Sequence, residues 1–238
     1  MNTHSHKIAT RLPRRVTTMA GFSLIEMMIS ITIGLMVVAA LVGVLTSNSR
    51  SSKTNERTAE LQSNGRYALD HFKRELRHAG YRGYTPKAPE SGGWTTPAIT
   101  NECGTAGSFV KNIRQAVWGD NGNNPFSGDC ISGVSASATY RQGDVLVLRR
   151  AAGTPTLAAS AIANTIYLRS SYDSVSVQQG SALPAAVTPG TENFALQVYV
   201  YYIGSDDNDA TVPALRRFAL AGNAMVDELV VSGIEQIQ

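Results

Sequence analysis

Gly21-Phe22-Ser23-Leu24-Ile25-Glu26 opens an apolar run that continues to Leu45. Residues 22–45 number 24 and carry one charge, Glu26; Ser23, Ser30 and Thr32 are the other polar side chains. A membrane span needs roughly 20 predominantly apolar residues in a helix. The run contains no proline to break it. Ahead of it lies a short basic leader, with Lys7, Arg11, Arg14 and Arg15 and no acid.

A secretory signal peptide has a shorter apolar core, with its small-residue cleavage site after that core. Here the small residue at the boundary, Gly21, precedes the core. Cleavage after Gly21 keeps the apolar segment, makes Phe22 the first residue and places Glu26 fifth. The leader's charges hold it on the cytoplasmic side. A carboxylate within an apolar span costs about 2.5–3.5 kcal/mol on insertion scales and is a functional candidate for that reason. Cleavage also creates an ammonium group on Phe22. In a bundle of such helices, Glu26 of one copy can pair with the Phe22 ammonium of its neighbour, which removes two desolvated charges and sets the axial register.

Gly21, Phe22 and Glu26 together resemble the class III signal of type IV prepilins, in which a basic leader ends in glycine and an acid stands fifth in the mature chain. Gly21 lacks a side chain, which suits a peptidase gripping extended backbone.

Outside the leader, 217 residues remain, enough for a span and one globular domain. The formal charge of +3 is misleading. The leader holds four of the 21 basic residues and none of the 18 acidic ones, leaving −1 from side chains in the remainder. Bulk charge gives nucleic acid no support as a partner. The two cysteines, Cys103 and Cys130, enclose 26 residues. With one span and a cytoplasmic leader, they are expected in the periplasm, where disulfides persist. A bridge is expected to contribute roughly 3 kcal/mol. Free thiols or a metal pair are the alternatives, but neither cysteine has a partner at zinc-ligand spacing.

Residues 46–82 are polar and free of proline. Leu61, Ala68, Leu69, Phe72, Leu76 and Ala79 recur at helical steps and predict an amphipathic helix continuous with the span, packed through this stripe on the globular domain. Gly65 and Ser47–Ser52 are the places for a bend, Gly80 the expected C-cap and Pro86 a stop beyond it. The basic residues Arg50 to Arg82 face Glu56, Glu60, Asp70 and Glu75; pairs such as Asp70 with Arg74 suit a solvated helix face. His71 and His78, seven apart, have the spacing to share a face, but no acid or cysteine completes a metal site.

Residues 83–135 are rich in turn formers, including Gly92-Gly93, Gly119 to Pro125 and Ser127-Gly128-Asp129. Trp94 and Trp118 are either packed against the cysteine bridge or exposed as contact residues. Strand patterns follow at Asp144–Arg150, Ala163–Leu168, Phe194–Ile203, Ala214–Leu220 and Met225–Val231. Short strands joined by turns predict an antiparallel sheet. Asp206-Asp207-Asn208-Asp209 lacks the alternating pattern of a calcium loop and reads as an acidic hairpin tip. The ending, Gly233-Ile234-Glu235-Gln236-Ile237-Gln238, reads as the middle of an element, so the domain spanning 83–238 is expected to be truncated.

The fold class expected is therefore α+β: a long N-terminal helix, half membrane-spanning (22–45) and half amphipathic (46–82), on a mainly antiparallel sheet. Asn64-Gly65-Arg66-Tyr67-Ala68-Leu69, Leu76-Arg77-His78-Ala79-Gly80-Tyr81, Gly143-Asp144-Val145-Leu146 and Gly233-Ile234-Glu235-Gln236-Ile237 further resemble the PilW group of minor type IV pilins. The resemblance implies that a prepilin peptidase cuts between Gly21 and Phe22 and methylates the Phe22 nitrogen. The product then sits in the inner membrane with its C-terminal domain in the periplasm. From there it joins other minor pilins, the major pilin, a tip adhesin and the inner-membrane assembly platform in a complex that primes a fibre at the cell surface. Twitching and attachment depend on such fibres.

No nucleophile elbow, phosphate loop or dinucleotide glycine pattern is present, so no enzyme and no cofactor is expected. The alternatives are a minor pseudopilin of a type II secretion system, similar to GspJ, and a DNA-binding pilin of a competence system. The second rests only on the basic residues between Arg50 and Arg82. A membrane-anchored periplasmic enzyme needs a pocket with coupled titratable groups that the sequence does not show.

Overall fold

The apolar run and the polar stretch after it form one element, α1 (Leu24–His78). The computed structural model describes residues 21–87, 98–104, 108–131, 139–185 and 188–238. Leader residues 1–20, Gly92-Gly93 and Trp94 lie outside these. The chain divides into two compact units, Met1–Glu56 and Arg57–Gln238. Helix assignment is unbroken through Ser47–Ser52 and Gly65. The helix ends before Gly80, whose φ of 81° is the left-handed conformation that glycine adopts at little cost. Its N–H is satisfied by the Arg149 carbonyl at 2.9 Å.

The second unit holds seven strands: β1 (Val117–Asp120), β2 (Gln142–Thr156), β3 (Ile166–Ser171), β4 (Val175–Gln179), β5 (Thr191–Ser205), β6 (Pro213–Ala221) and β7 (Ala224–Ser232). All pairings between named strands are antiparallel. The fold is thus α+β, with a long N-terminal helix and an antiparallel sheet, as its patterning predicts. β2 runs along one edge of β5. The other edge of β5 is shared: its first residues pair with β3, and Tyr199–Ser205 pair with β6. Two hairpins, β3-β4 and β6-β7, therefore hang from one long β2-β5 ribbon.

Alternation along β5 gives the sheet two apolar faces. Phe194, Leu196, Val198, Val200 and Tyr202 enter the larger core with Val145, Val147, Phe218 and both cysteines. Tyr201 and Ile203 point the other way and pack with Leu148, Leu215, Ala68 and Phe72. Each large apolar side chain buried there contributes about 1.5–3 kcal/mol. Tyr-rich β5 can bury both faces because the helix covers one and the loops before β2 cover the other.

The predicted stripe packs on the sheet in part, through Ala68, Phe72 and Ala79, while its leucines stay exposed. Leu69 and Leu76 are 61% and 45% exposed. His71 and Glu75 join Ala68 and Phe72 against the sheet, because β2, β5 and β6 present polar partners as well as apolar ones. His71 is hydrogen-bonded to the Tyr201 hydroxyl at 2.8 Å. Arg150 grips Glu75 through two N–H donors at 3.0 and 3.3 Å. Phe72 packs edge-on against Tyr201, with centroids 5.0 Å apart. His71 and His78 meet different surroundings: His71 is buried against the sheet, whereas His78, at the helix end, is exposed and bonds the Arg74 carbonyl of its own helix. The nearest cation to Asp70 is Lys73 at 4.0 Å rather than Arg74, an exposed pair worth little.

Strand limits differ in detail from their sequence patterns. β2 extends to Thr156, past an irregularity in register between Ala151 and Pro155. β3 begins at Ile166, after a turn, and not at Ala163. β1 and β4 were not foreseen; both are short and carry weak periodicity. Residues 233–238 lie outside the regular strands and run beside the start of β2, where Asp144 N–H donates to the Ile237 carbonyl at 3.0 Å.

Candidate functional site

Gly21, Phe22 and Ser23 precede the helix, and the Ser23 carbonyl accepts the first helical bond, from Met27 N–H at 3.2 Å. Phe22 is 78% exposed. Glu26 stands in the first helical turn, where a negative charge favours the positive end of the helix dipole. The other polar groups of the apolar run are largely absorbed by the helix itself. Ser30 donates to the Glu26 carbonyl at 2.8 Å and Thr32 to the Ile29 carbonyl at 2.8 Å. Such back-bonding lets hydroxyls sit in an apolar setting without an outside partner. The Glu26 carboxylate has no hydrogen bond or ion pair among the described residues. Among the described residues, α1 is the helix long and apolar enough to cross a membrane, with a mean hydropathy of 2.6 over its most apolar 18 residues.

The prokaryotic N-terminal methylation motif matches residues 18–42, which include Gly21, Phe22 and Glu26. No curated protein and no solved structure matches the chain. The motif is the one carried by type IV pilin and pseudopilin precursors, and it implies processing by a prepilin peptidase; it covers 25 of the 238 residues.

The second predicted pair, Cys103 and Cys130, is joined in a disulfide. Both cysteines are fully buried in the larger core beside Val110, Phe126 and Ile131. Trp118 packs on Phe126, with centroids 5.7 Å apart, and belongs to this core. Arg149 tethers the same region from the sheet. It lies 4.4 Å over the Phe109 ring and donates to the carbonyls of Phe109 and Gln115 at 3.0 and 2.9 Å. Burial lowers the Arg149 pKa to about 10, against the opposing pull of Glu102.

Sequence reading missed how two double arginines straddle the sheet. Arg149 and Arg216 lie on the disulfide-bearing side, whereas Arg150 and Arg217 lie on the helix side, as strand alternation requires. Arg216 binds the buried Asp227 and also Asp207, and Tyr202 donates to Asp227 at 2.6 Å. Burial works against the Arg216 charge, but the Asp227 and Asp207 hydrogen bonds outweigh it and raise its pKa. Arg217 binds Glu228 at 2.9 Å and stacks 4.6 Å above Tyr199.

The acidic run splits among separate partners. Asp206 bonds Ser232, Asp207 bonds Arg216, and Asp209 bonds Thr211 at 2.9 and 2.7 Å. These carboxylates cap turns and neutralise an arginine. Among the described residues, no three His, Cys, Asp or Glu side chains are placed to hold a metal ion.

Proposed function

We propose that the chain is a minor type IV pilin. The observation that carries this reading is the methylation motif laid over a long apolar helix whose single charge, Glu26, is unpaired. A prepilin peptidase hydrolyses the Gly21–Phe22 bond, and a methyl group is added to the Phe22 nitrogen so released. The apolar helix stays in the inner membrane and the disulfide-tied sheet domain lies in the periplasm. Glu26 then pairs with the Phe22 ammonium of a neighbouring subunit, which sets the helical register as minor pilins gather to prime a fibre. The described residues fit a structural role: their buried charges are engaged in packing helix, sheet and loops together.

The test is the mass and first residue of the mature protein extracted from membranes. An N-methylated Phe22 is expected. An intact leader, or cleavage beyond Leu45, overturns the reading. Co-purification with other pilins and a tip adhesin, as against secretion-system components, separates the minor pilin from a pseudopilin.

A further inference from the structure

Leu69, Phe72, Leu76 and Ala79 follow one another along α1 at steps of three, four and three, the spacing of a seam that packs on another helix. The sheet uses only part of that seam. Phe72 and Ala79 pack on the cluster around Tyr201, while Leu69 and Leu76 stay exposed. Single exposed leucines are ordinary, but these two widen an apolar surface that is already packed on one side. A row of cations runs beside them. Arg66 stands three residues before Leu69, Lys73 four after it and Arg77 four after Lys73. Residues three and four apart are neighbours on a helix surface, so cations border the leucines along the row. All three cations are exposed, and Arg66 and Arg77 make no ion pair among the described residues. Asp70 stands among them and offsets one charge, through an exposed 4.0 Å contact with Lys73. Glu75, the other acid of this stretch, is turned to the sheet and held by Arg150.

An apolar strip bordered by unpaired cations selects for a partner that is apolar on one side and acidic on the flank. A second copy of this chain is a poor fit, because it would lay one basic row against another. We propose that this side of α1 docks an amphipathic helix of another protein, with an acidic flank. Its apolar side chains pack on Leu69 and Leu76, and its carboxylates face Arg66, Lys73 and Arg77. Carboxylates at steps of seven and four along such a helix repeat the spacing of the three cations, so pairing runs the length of the row. The arginines add a planar fork that matches a carboxylate. Docking requires neither cleavage at Gly21 nor the charge of Glu26, so it stands or falls separately from the pilin reading.

The full chain in nonionic detergent is titrated against two labelled helical peptides with leucine at the a and d positions of each heptad. They differ only in glutamate or lysine at e and g, and empty micelles serve as the blank. Fluorescence anisotropy is expected to give a Kd on the order of 10 μM for the glutamate peptide and at least about tenfold weaker binding of the lysine peptide. Added salt is expected to weaken the first, since the pairs are exposed. Leu69→Ser/Leu76→Ser is expected to lower affinity at least about tenfold with no drop in melting temperature, both side chains being exposed. Arg66→Glu/Lys73→Glu is expected to reverse the preference, and it carries the test should the leucine variant fail to fold. Equal binding of the two peptides, binding of neither, or a charge-reversed variant that keeps the parental preference overturns the proposal. So does a DNA duplex that binds more tightly than the glutamate peptide and is indifferent to loss of the leucines, which would assign the row to a polyanion.

Discussion

His71 Nε2 and the Tyr201 hydroxyl lie 2.8 Å apart in a buried contact between residues 130 positions apart in the chain. The bond docks the helix onto β5 within a cage of rings and charges. Burial lowers the His71 pKa; Glu75 opposes this, while Arg217, Arg74 and Arg150 add to it. The folded state therefore binds a proton less readily than the unfolded chain, whose histidine titrates near 6.5. Stability rises with pH wherever the unfolded state holds more protons. This contribution is complete above pH 6.5 and is lost as pH falls through the lowered folded value. Melting temperature is expected to drop on acidification from neutral pH. In Tyr201→Phe, loss of one buried hydrogen bond is expected to cost about 1 kcal/mol at neutral pH. A His71→Gln variant whose acid sensitivity equals that of the parent would sink the assignment.

Arg216 and Asp227 predict a large asymmetry between two neighbouring ion pairs. Their side chains are 4% and 7% exposed, whereas Arg217 and Glu228 are 23% and 41% exposed. Removing one partner of a buried pair strands the other charge and costs about 3–5 kcal/mol. An exposed pair contributes about 0–1 kcal/mol. Asp227→Asn is accordingly expected to destabilise the domain several-fold more than Glu228→Gln in urea denaturation. Equal losses would mean that Asp207 and the Ser205 carbonyl hold Arg216 unaided.

The helix and the sheet were legible because their signals are local. A run of 24 residues with a single charge specifies the first part of α1 wherever it occurs, and Val198 to Ile203 is a strand by side-chain type alone. The packing stripe of α1 was legible at Ala68, Phe72 and Ala79 but misread at its edges, because Leu69 and Leu76 outweigh His71 and Glu75 on any hydrophobic scale. Only the partners Tyr201 and Arg150, distant in sequence, make those polar residues good core neighbours. Gly83 carried a signal that was overlooked. Its φ is 85°, and a side chain there would come within 2.6 Å of the Phe194 ring. Gly21, Phe22 and Glu26 stood out because adjacent residues carry the motif and no tertiary structure is needed to read it.

Reduction of the Cys103–Cys130 bond loosens a segment that stays anchored through β1 on β2, the bonds of Arg149 and the buried Val110, Ile113 and Phe126. Loop entropy assigns the bridge about 3 kcal/mol for its length. Cys103→Ala/Cys130→Ala is expected to lower stability by about that amount. Protease nicking is expected to rise first between the two positions, while β5 and its neighbours stay protected. Uniform cleavage across the domain would show instead that the loop and sheet unfold as one unit.

Glu26 offers the sharpest test of the proposed assembly step. A carboxylate in the first turn gains something from the helix dipole, about 0.3–1 kcal/mol. That does not offset its cost in hydrocarbon, about 2.5–3.5 kcal/mol. The difference must be met by a counter-charge, and the Phe22 ammonium of an adjacent subunit is the one that processing creates. Replacing Glu26 with Ala removes the cost of insertion, so membrane anchoring is expected to be undiminished. Cleavage after Gly21 is expected to persist, since the scissile bond and Phe22 are unchanged. Incorporation into fibres, measured by immunoblot of sheared pili against the membrane pool, is expected to fall at least about tenfold, the equivalent of 1.4 kcal/mol. Glu26→Gln separates charge from shape: it keeps the side-chain size but cannot neutralise an ammonium, and it is expected to fail as Ala does. Fibres that accept either variant at the parental level would remove the pairing while leaving the processing site intact.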